Sequence, residues 1–211
     1  ITAPRSDADQ GTDLDSRLSP AHPLVVLGSI RQPEETVVAG MLETILARRP
    51  DAQIAVVPRH MHRIPAWQGR LSTMGLNWVG RSRLAGPCGP GTIILWDTFG
   101  ELMALYRRSR AVFVGGSLAP LGGQNFLEPL TCGVAPVIGP HWDNFSWVGR
   151  DIEYLGLVRI GADANAVAGE LIRYLAAPVP RDQVKSEIST YIRVKQGGTA
   201  QACDLIKRFL S

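Results

Sequence analysis

Cysteine is scarce in this chain: Cys88, Cys132 and Cys203 are the only three among 211 residues. An odd, widely spaced set without a C-x-x-C pair excludes a disulfide framework and a thiolate zinc site. Reduced thiols are the expectation, with Cys132 in Leu130-Thr131-Cys132-Gly133 acting as a small core hydrophobe. Long apolar runs are missing as well, and nothing approaches the ~20 residues a membrane span requires. Charge of one sign is also lacking, since 22 Lys and Arg against 19 Asp and Glu leave only +3. Residues 1–20 hold two Arg and four Asp, so the remainder carries +5, dispersed and without a basic run interleaved with aromatics. That pattern excludes a nucleic-acid groove and suits an anionic small molecule or surface. The polar N-terminus opens on Ile rather than Met and reads as an excised piece with neither signal peptide nor anchor.

Apolar residues, in contrast, make up 45% of the chain, enough for one substantial core and too many for disorder. Residues 1–20 have no apolar period and read as a flexible leader, with Asp7/Asp9 and Asp13/Asp15 as solvated pairs. Residues 21–211 then form a single domain. Leu24–Ile30 is a short buried run, and Pro33 opens a helix with Val37, Val38, Met41, Leu42, Ile45 and Leu46 on one face. Further strand-sized runs at Ile54–Val57, Asn77–Gly80, Thr92–Trp96, Ala111–Val114, Ala135–Ile138 and near Leu157–Ile160 alternate with helical stretches. The last third is mostly helical, and Ala202, Leu205, Ile206 and Phe209 fall at helical spacing. Alternation of this kind means βαβ units. The fold class is therefore α/β: a Rossmann-like, doubly wound parallel sheet of about six strands.

Ligands in such sheets bind where strand carboxyl ends meet helix amino ends. Four loops at those positions hold most of the unusual residues: Pro58-Arg59-His60, then 97–102 with Gly100 and Glu101, then 115–129, then Gly139-Pro140-His141 with Asn144. In the third, Gly115-Gly116-Ser117 and Gly122-Gly123 bound a nine-residue loop that runs through Gln124 and Asn125 into a short helix bearing Glu128. Paired glycines let backbone approach a ligand, and a helix amino end suits a phosphate. Glu128 could accept hydrogen bonds from a ribose diol. The plainer alternative is that the glycines only make turns and that Glu128 pairs locally. His60 and His141 have three open readings: an acid/base pair, ligand lining or structural hydrogen bonding. Asp97 suits a loop cap, the tryptophans suit packing, and Arg81 with Arg83 is equally readable as a solvated cluster. Neither a P-loop nor a G-x-G-x-x-G fingerprint is present.

The string D-T-x-G-E-L-x-x-L-Y, A-x-F-V-G-G-S-L, G-G-x-N-x-L-E-P, P-V-x-x-G-P-H, N-F, with Pro58-Arg59-His60 upstream, resembles the C-terminal half of the Kdo (3-deoxy-D-manno-oct-2-ulosonic acid) transferases. The likeness runs from about residue 24 to 176. It implies the C-terminal domain of the two-domain GT-B architecture, which holds the CMP-Kdo donor while Kdo passes to a lipid A precursor. By that resemblance Arg59 contacts the donor's charged groups, Gly100 and Glu101 line the nucleotide cleft, and Gly115, Gly116 and Ser117 lie against phosphate or base. Gln124, Asn125 and Glu128 hold phosphate and ribose, with His60, His141 and Asn144 as further candidates. Family members usually carry His at the position of Gln124. The turn from Ser29 to Glu34-Glu35 resembles a family S-x-x-x-x-E-E element only loosely.

The resemblance also implies a catalytic base on a missing N-terminal domain, no catalytic residue in this chain, and no metal or cofactor. It places the whole protein at the cytoplasmic face of a bacterial inner membrane, with this piece soluble and inactive alone. Other readings are a UDP-sugar transferase or epimerase-like GT-B domain, or a non-catalytic nucleotide-sugar binding module.

Overall fold

Leu24–Ile30 (β1) is buried at every position except Ser29, so its place is the middle of a sheet covered on both faces. The computed structural model describes residue 14 and residues 16–210, with side chains through residue 195. On one side β1 pairs with Gln53–Pro58 (β2), and on the other with Ala111–Val114 (β5). Ile93–Leu95 (β4) and the edge strand Trp78–Gly80 (β3) extend the first side, and Val137–Ile138 (β6) and Arg159–Ile160 (β7) the second. Every pairing is parallel, and the order is β3-β4-β2-β1-β5-β6-β7. The sheet has seven strands where about six were expected, with β3 and the two-residue β7 at its edges.

Helices cover both faces. Glu35–Arg48 (α1) buries Val38, Met41, Leu42 and Ile45, while Val37 is 45% exposed, so the apolar stripe is narrower than the sequence suggested. Ile64–Thr73 (α2) buries Trp67 and Leu71, and Leu102–Arg108 (α3) buries Leu105 and Tyr106. The short Leu127–Thr131 (α4) and Asp151–Tyr154 (α5) follow β5 and β6. Ala164–Ala176 (α6) starts at Asp163, whose side chain accepts the Ala166 amide at 2.8 Å, a standard helix-start device. Its Val167, Ala168, Leu171 and Leu175 face the core at one-turn spacing. Arg181–Leu210 (α7) closes the domain, with Val184, Ile188 and Tyr191 buried.

Leu14 and Leu18, inside the segment read as a leader, are buried in the same core, so packing reaches back to residue 14. Asp7, Asp9, Asp13 and Asp15 lie outside the described residues, as do the side chains of Ala202, Cys203, Leu205, Ile206 and Phe209. Cys132 is buried and unpaired, as its apolar surroundings suggested, and Cys88 is a half-buried free thiol. Among the described residues no helix is long and apolar enough to cross a membrane.

Candidate functional site

The chain leaves β1, builds one side of the sheet, then returns to β5 on the other side of β1. The carboxyl ends of β1 and β5 thus form the point where strand order reverses, the usual ligand crevice of an open α/β sheet. All four loops singled out in the sequence converge there. A cavity of about 180 Å³ at this edge is lined by Ser29, Arg59, Trp96, Phe99, Gly100 and Glu101, among others.

Arg59 is held from two directions. Its backbone amide donates to the Ile30 carbonyl at 2.8 Å, and its Nε donates to Gln124 Oε1 at 3.1 Å. The side chain is exposed, and among the described residues no hydrogen bond occupies its two terminal nitrogens. His60 beside it is also exposed, and its rings stack with His62 at 5.5 Å. Desolvation first, then the charges of Arg31, His62 and Arg59, hold the His60 imidazole below its ordinary pKa.

The glycine loop is closed at its base by its own backbone. Gly123 donates to the Gly116 carbonyl at 2.8 Å, and Gln124 to that of Gly115 at 3.0 Å. Gly116 (φ +71°) and Gly123 (φ +81°) take the left-handed backbone conformation this closure requires. Behind the loop sits Glu34, fully buried. Its carboxylate accepts the amides of Arg31 at 2.9 Å, Gly116 at 2.5 Å and Leu118 at 3.2 Å. A Cβ on Gly115 would collide with this carboxylate and with the Ser29 carbonyl. Glu34 is therefore the buckle between the turn after β1 and the loop after β5.

These bonds change what the loop can offer a ligand. The amides of Gly115, Gly116, Leu118, Gly123 and Gln124 are all spent inside the fold. Ser117 is spent too: its hydroxyl donates to the Val114 carbonyl and accepts the Gly139 amide, both at 2.8 Å, with 1% of the residue exposed. Glycine and serine here fix the shape of the rim, and the exposed polar groups lie on Arg59, Asn125 and the adjoining edge of α4. Asn125 is exposed. Its Oδ1 accepts the Leu127 amide at 3.2 Å, and its Nδ2 donates to Glu128 Oε1 at 3.0 Å. Asn125 therefore both satisfies the first amide of α4 and orients the Glu128 carboxylate.

Gly100 and Glu101 reach the cavity, but the Glu101 carboxylate is 8% exposed and fully used. It accepts from Arg81 at 2.8 Å, Trp96 Nε1 at 3.0 Å and Thr98 Oγ1 at 2.6 Å. Arg81 is buried in this ion pair with its guanidinium over the Trp96 ring, so the solvated-cluster reading fails for it and survives only for exposed Arg83. Asp97 does cap a loop, accepting the Ser82 amide at 2.7 Å and the Ser82 hydroxyl at 2.6 Å. His141 and Asn144 brace the rim from the next loop. The His141 amide donates to Ser117 O and that of Asn144 to Gly122 O, each at 3.0 Å. Trp96 and Trp142 are packing residues, whereas Trp147 is 71% exposed.

Two features escaped the sequence reading. Glu34 appeared only as part of a loose turn motif, although a carboxylate between a proline and a buried helix face is a recognisable oddity. Tyr106 ends the D-T-x-G-E-L-x-x-L-Y string and is fully buried beneath Gly28, where a Cβ would come within 2.6 Å of its hydroxyl. That hydroxyl has no hydrogen-bond partner among the described residues, and burial pushes its pKa well above the ordinary phenol value.

No family model matches the chain. Among curated proteins, the 3-deoxy-D-manno-octulosonic acid transferase of Bordetella pertussis is 30% identical over 192 residues, covering 89% of this chain and 45% of that protein. The enzyme of the same name from Haemophilus influenzae is 28% identical over 189 residues, covering 89% and 44%. The chain thus spans less than half the length of these relatives. The crystal structure of the C-terminal CMP-Kdo binding domain of WaaA from Acinetobacter baumannii superposes with a TM-score of 0.76 at 28% identity, covering 87% of this chain and 96% of that one. A trehalose 6-phosphate synthase from Burkholderia multivorans shares the fold alone, with a TM-score of 0.56 at 13% identity. The chain is a homologue of the 3-deoxy-D-manno-octulosonic acid transferases, and it carries the α/β fold of their C-terminal GT-B domain.

Proposed function

We propose that this chain is the donor-binding domain of a Kdo transferase, holding CMP-Kdo while Kdo is transferred to a lipid A precursor at the cytoplasmic face of the inner membrane. The supporting observation is the near-complete coverage of a CMP-Kdo binding domain, combined with an exposed Arg59 fixed across the strand-reversal crevice. Residues 21–211 form that domain, with packing that begins by residue 14.

In this reading the bond between the sugar's anomeric carbon and the phosphate oxygen breaks, leaving its electron pair on CMP. Negative charge grows on the departing phosphate, and the free end of the Arg59 guanidinium stabilises it by charge-assisted hydrogen bonds. Asn125 supplies a further polar contact, and Glu128, held by Asn125, accepts from the ribose hydroxyls. Gly115, Gly116, Ser117, Gly100 and Glu101 act through shape, keeping the rim and floor of the cleft in place. Gln124 aims Arg59. The base that deprotonates the acceptor hydroxyl belongs to the other half of the full-length enzyme.

Isothermal titration with CMP, and with UMP for contrast, tests the reading. CMP is expected to bind preferentially, and Arg59→Ala or Glu128→Ala each to cost about 1–3 kcal/mol of affinity. Unchanged affinity in both variants, a uridine preference, or Kdo transfer by this chain alone overturns it.

A further inference from the structure

The opposite edge of the sheet, where the strands begin, carries a second basic concavity. A cavity of about 340 Å³ there is lined by Arg108, Ser109, Arg110, Tyr174, Pro180 and Arg181, among others. Arg110 immediately precedes β5 and the glycine loop immediately follows it, so this cavity and the Arg59 cleft lie at opposite ends of a four-residue strand. At ~3.3 Å per residue that is a separation of roughly 13 Å along the strand.

Arg181 is half-buried at the mouth of α7. Its guanidinium donates to the carbonyls of Cys132, at 2.9 Å, and Ser109. Among the described residues the Arg110 guanidinium makes one hydrogen bond, to the Ala176 carbonyl at 3.4 Å. Neither guanidinium pairs with a carboxylate among the described residues, and desolvation pulls the Arg181 pKa below its ordinary value. A partly buried cation without a counter-ion is costly, and an anion in the cavity removes that cost. The amino end of the 30-residue α7 adds its positive dipole at the same spot. A second feature is independent of charge. Tyr174 forms one wall, is 2% exposed, and its hydroxyl has no hydrogen-bond partner among the described residues.

We propose that this cavity is a second anion site, suited to a phosphate-sized dianion such as the phosphate monoester of a small metabolite. Arg110 and Arg181 supply charge, and Tyr174 and the first turn of α7 supply further donors. Its occupation ties the start of β5 to the segment entering α7, and so bears on the strand that carries the glycine loop.

Titration of the 211-residue chain, saturated with CMP, with inorganic phosphate at constant ionic strength tests this. One saturable phosphate is expected, with Arg110→Gln and Tyr174→Phe each weakening it at least about five-fold and leaving CMP affinity within about two-fold. If CMP fails to bind, the Arg59→Ala chain replaces the CMP-saturated one, so failure of the donor reading and failure of this site are told apart. Absence of saturable binding, or affinity untouched by both variants, overturns the site. Flotation with phosphatidylcholine vesicles, with and without phosphatidic acid, separates the sources. Lipid binding displaced by free phosphate assigns a headgroup to this pocket, and lipid binding that phosphate cannot displace, or none, assigns the pocket to a free phosphate monoester.

Discussion

Arg59 and Gln124 are joined across the mouth of the sheet, Nε to Oε1 at 3.1 Å, although 65 residues separate them. The contact orients the guanidinium without spending its terminal nitrogens. Gln124→Ala is therefore expected to weaken CMP binding by about 1 kcal/mol, less than Arg59→Ala, with the melting temperature unchanged. Gln124→His adds an ionisable group, so affinity in that variant should rise as pH falls through about 6.5. Calorimetry at several pH values checks both, and a Gln124→Ala affinity equal to that of the original chain refutes the orienting role.

Glu34 accepts three amides in full burial. Truncation leaves those donors without partners, so Glu34→Ala should cost about 3 kcal/mol and lower Tm by roughly 6–12 °C. Glu34→Gln, which keeps one acceptor oxygen, should fall between. Thermal melts followed by circular dichroism decide it.

His60 is kept below its ordinary pKa, and part of the cause is the cations Arg31 and Arg59. A bound phosphate offsets those charges. CMP binding should therefore raise the His60 pKa, visible as a shifted imidazole titration by NMR, and a pKa that CMP leaves in place removes His60 from the donor's surroundings.

Asp151 anchors α7. The Tyr191 hydroxyl lies 2.8 Å from its Oδ1, and Lys195 Nζ lies 3.3 Å away. The Tyr191 hydrogen bond, followed by Lys195, holds the carboxyl below its ordinary pKa. The unfolded chain takes up this proton first as pH falls, so the contribution is present above the usual aspartate value and is lost as pH drops through the lower folded one. Tyr191→Phe should flatten stability against pH in that acidic window, measurable by urea unfolding at a series of pH values.

The parallel sheet was legible because each buried strand is a short apolar run punctuated by Gly or Pro, and the four loop sites followed from the general rule for such sheets. What escaped is long-range. The pairing of Glu34 with the amides of Gly116 and Leu118 crosses more than 80 residues, and no local pattern encodes it. It also spends the glycine-loop amides inside the fold, so the loop shapes the rim while the polar groups turned outward lie on Arg59 and Asn125. Arg81 was equally readable as solvated because its partner Glu101 belongs to a different loop. Leu14 and Leu18 were hidden by polar neighbours, two isolated apolar residues carrying no period of their own.

The buckle at Glu34 has a kinetic side. It ties residues 34 and 116, so a loop of about 80 residues must close before the crevice exists, and such closure is slow and entropically opposed until β1 and β5 zip together. A half-assembled chain has strands and helices but no crevice. Nucleotide recognition should consequently be among the last properties to emerge on refolding, and its recovery marks completion of the central sheet.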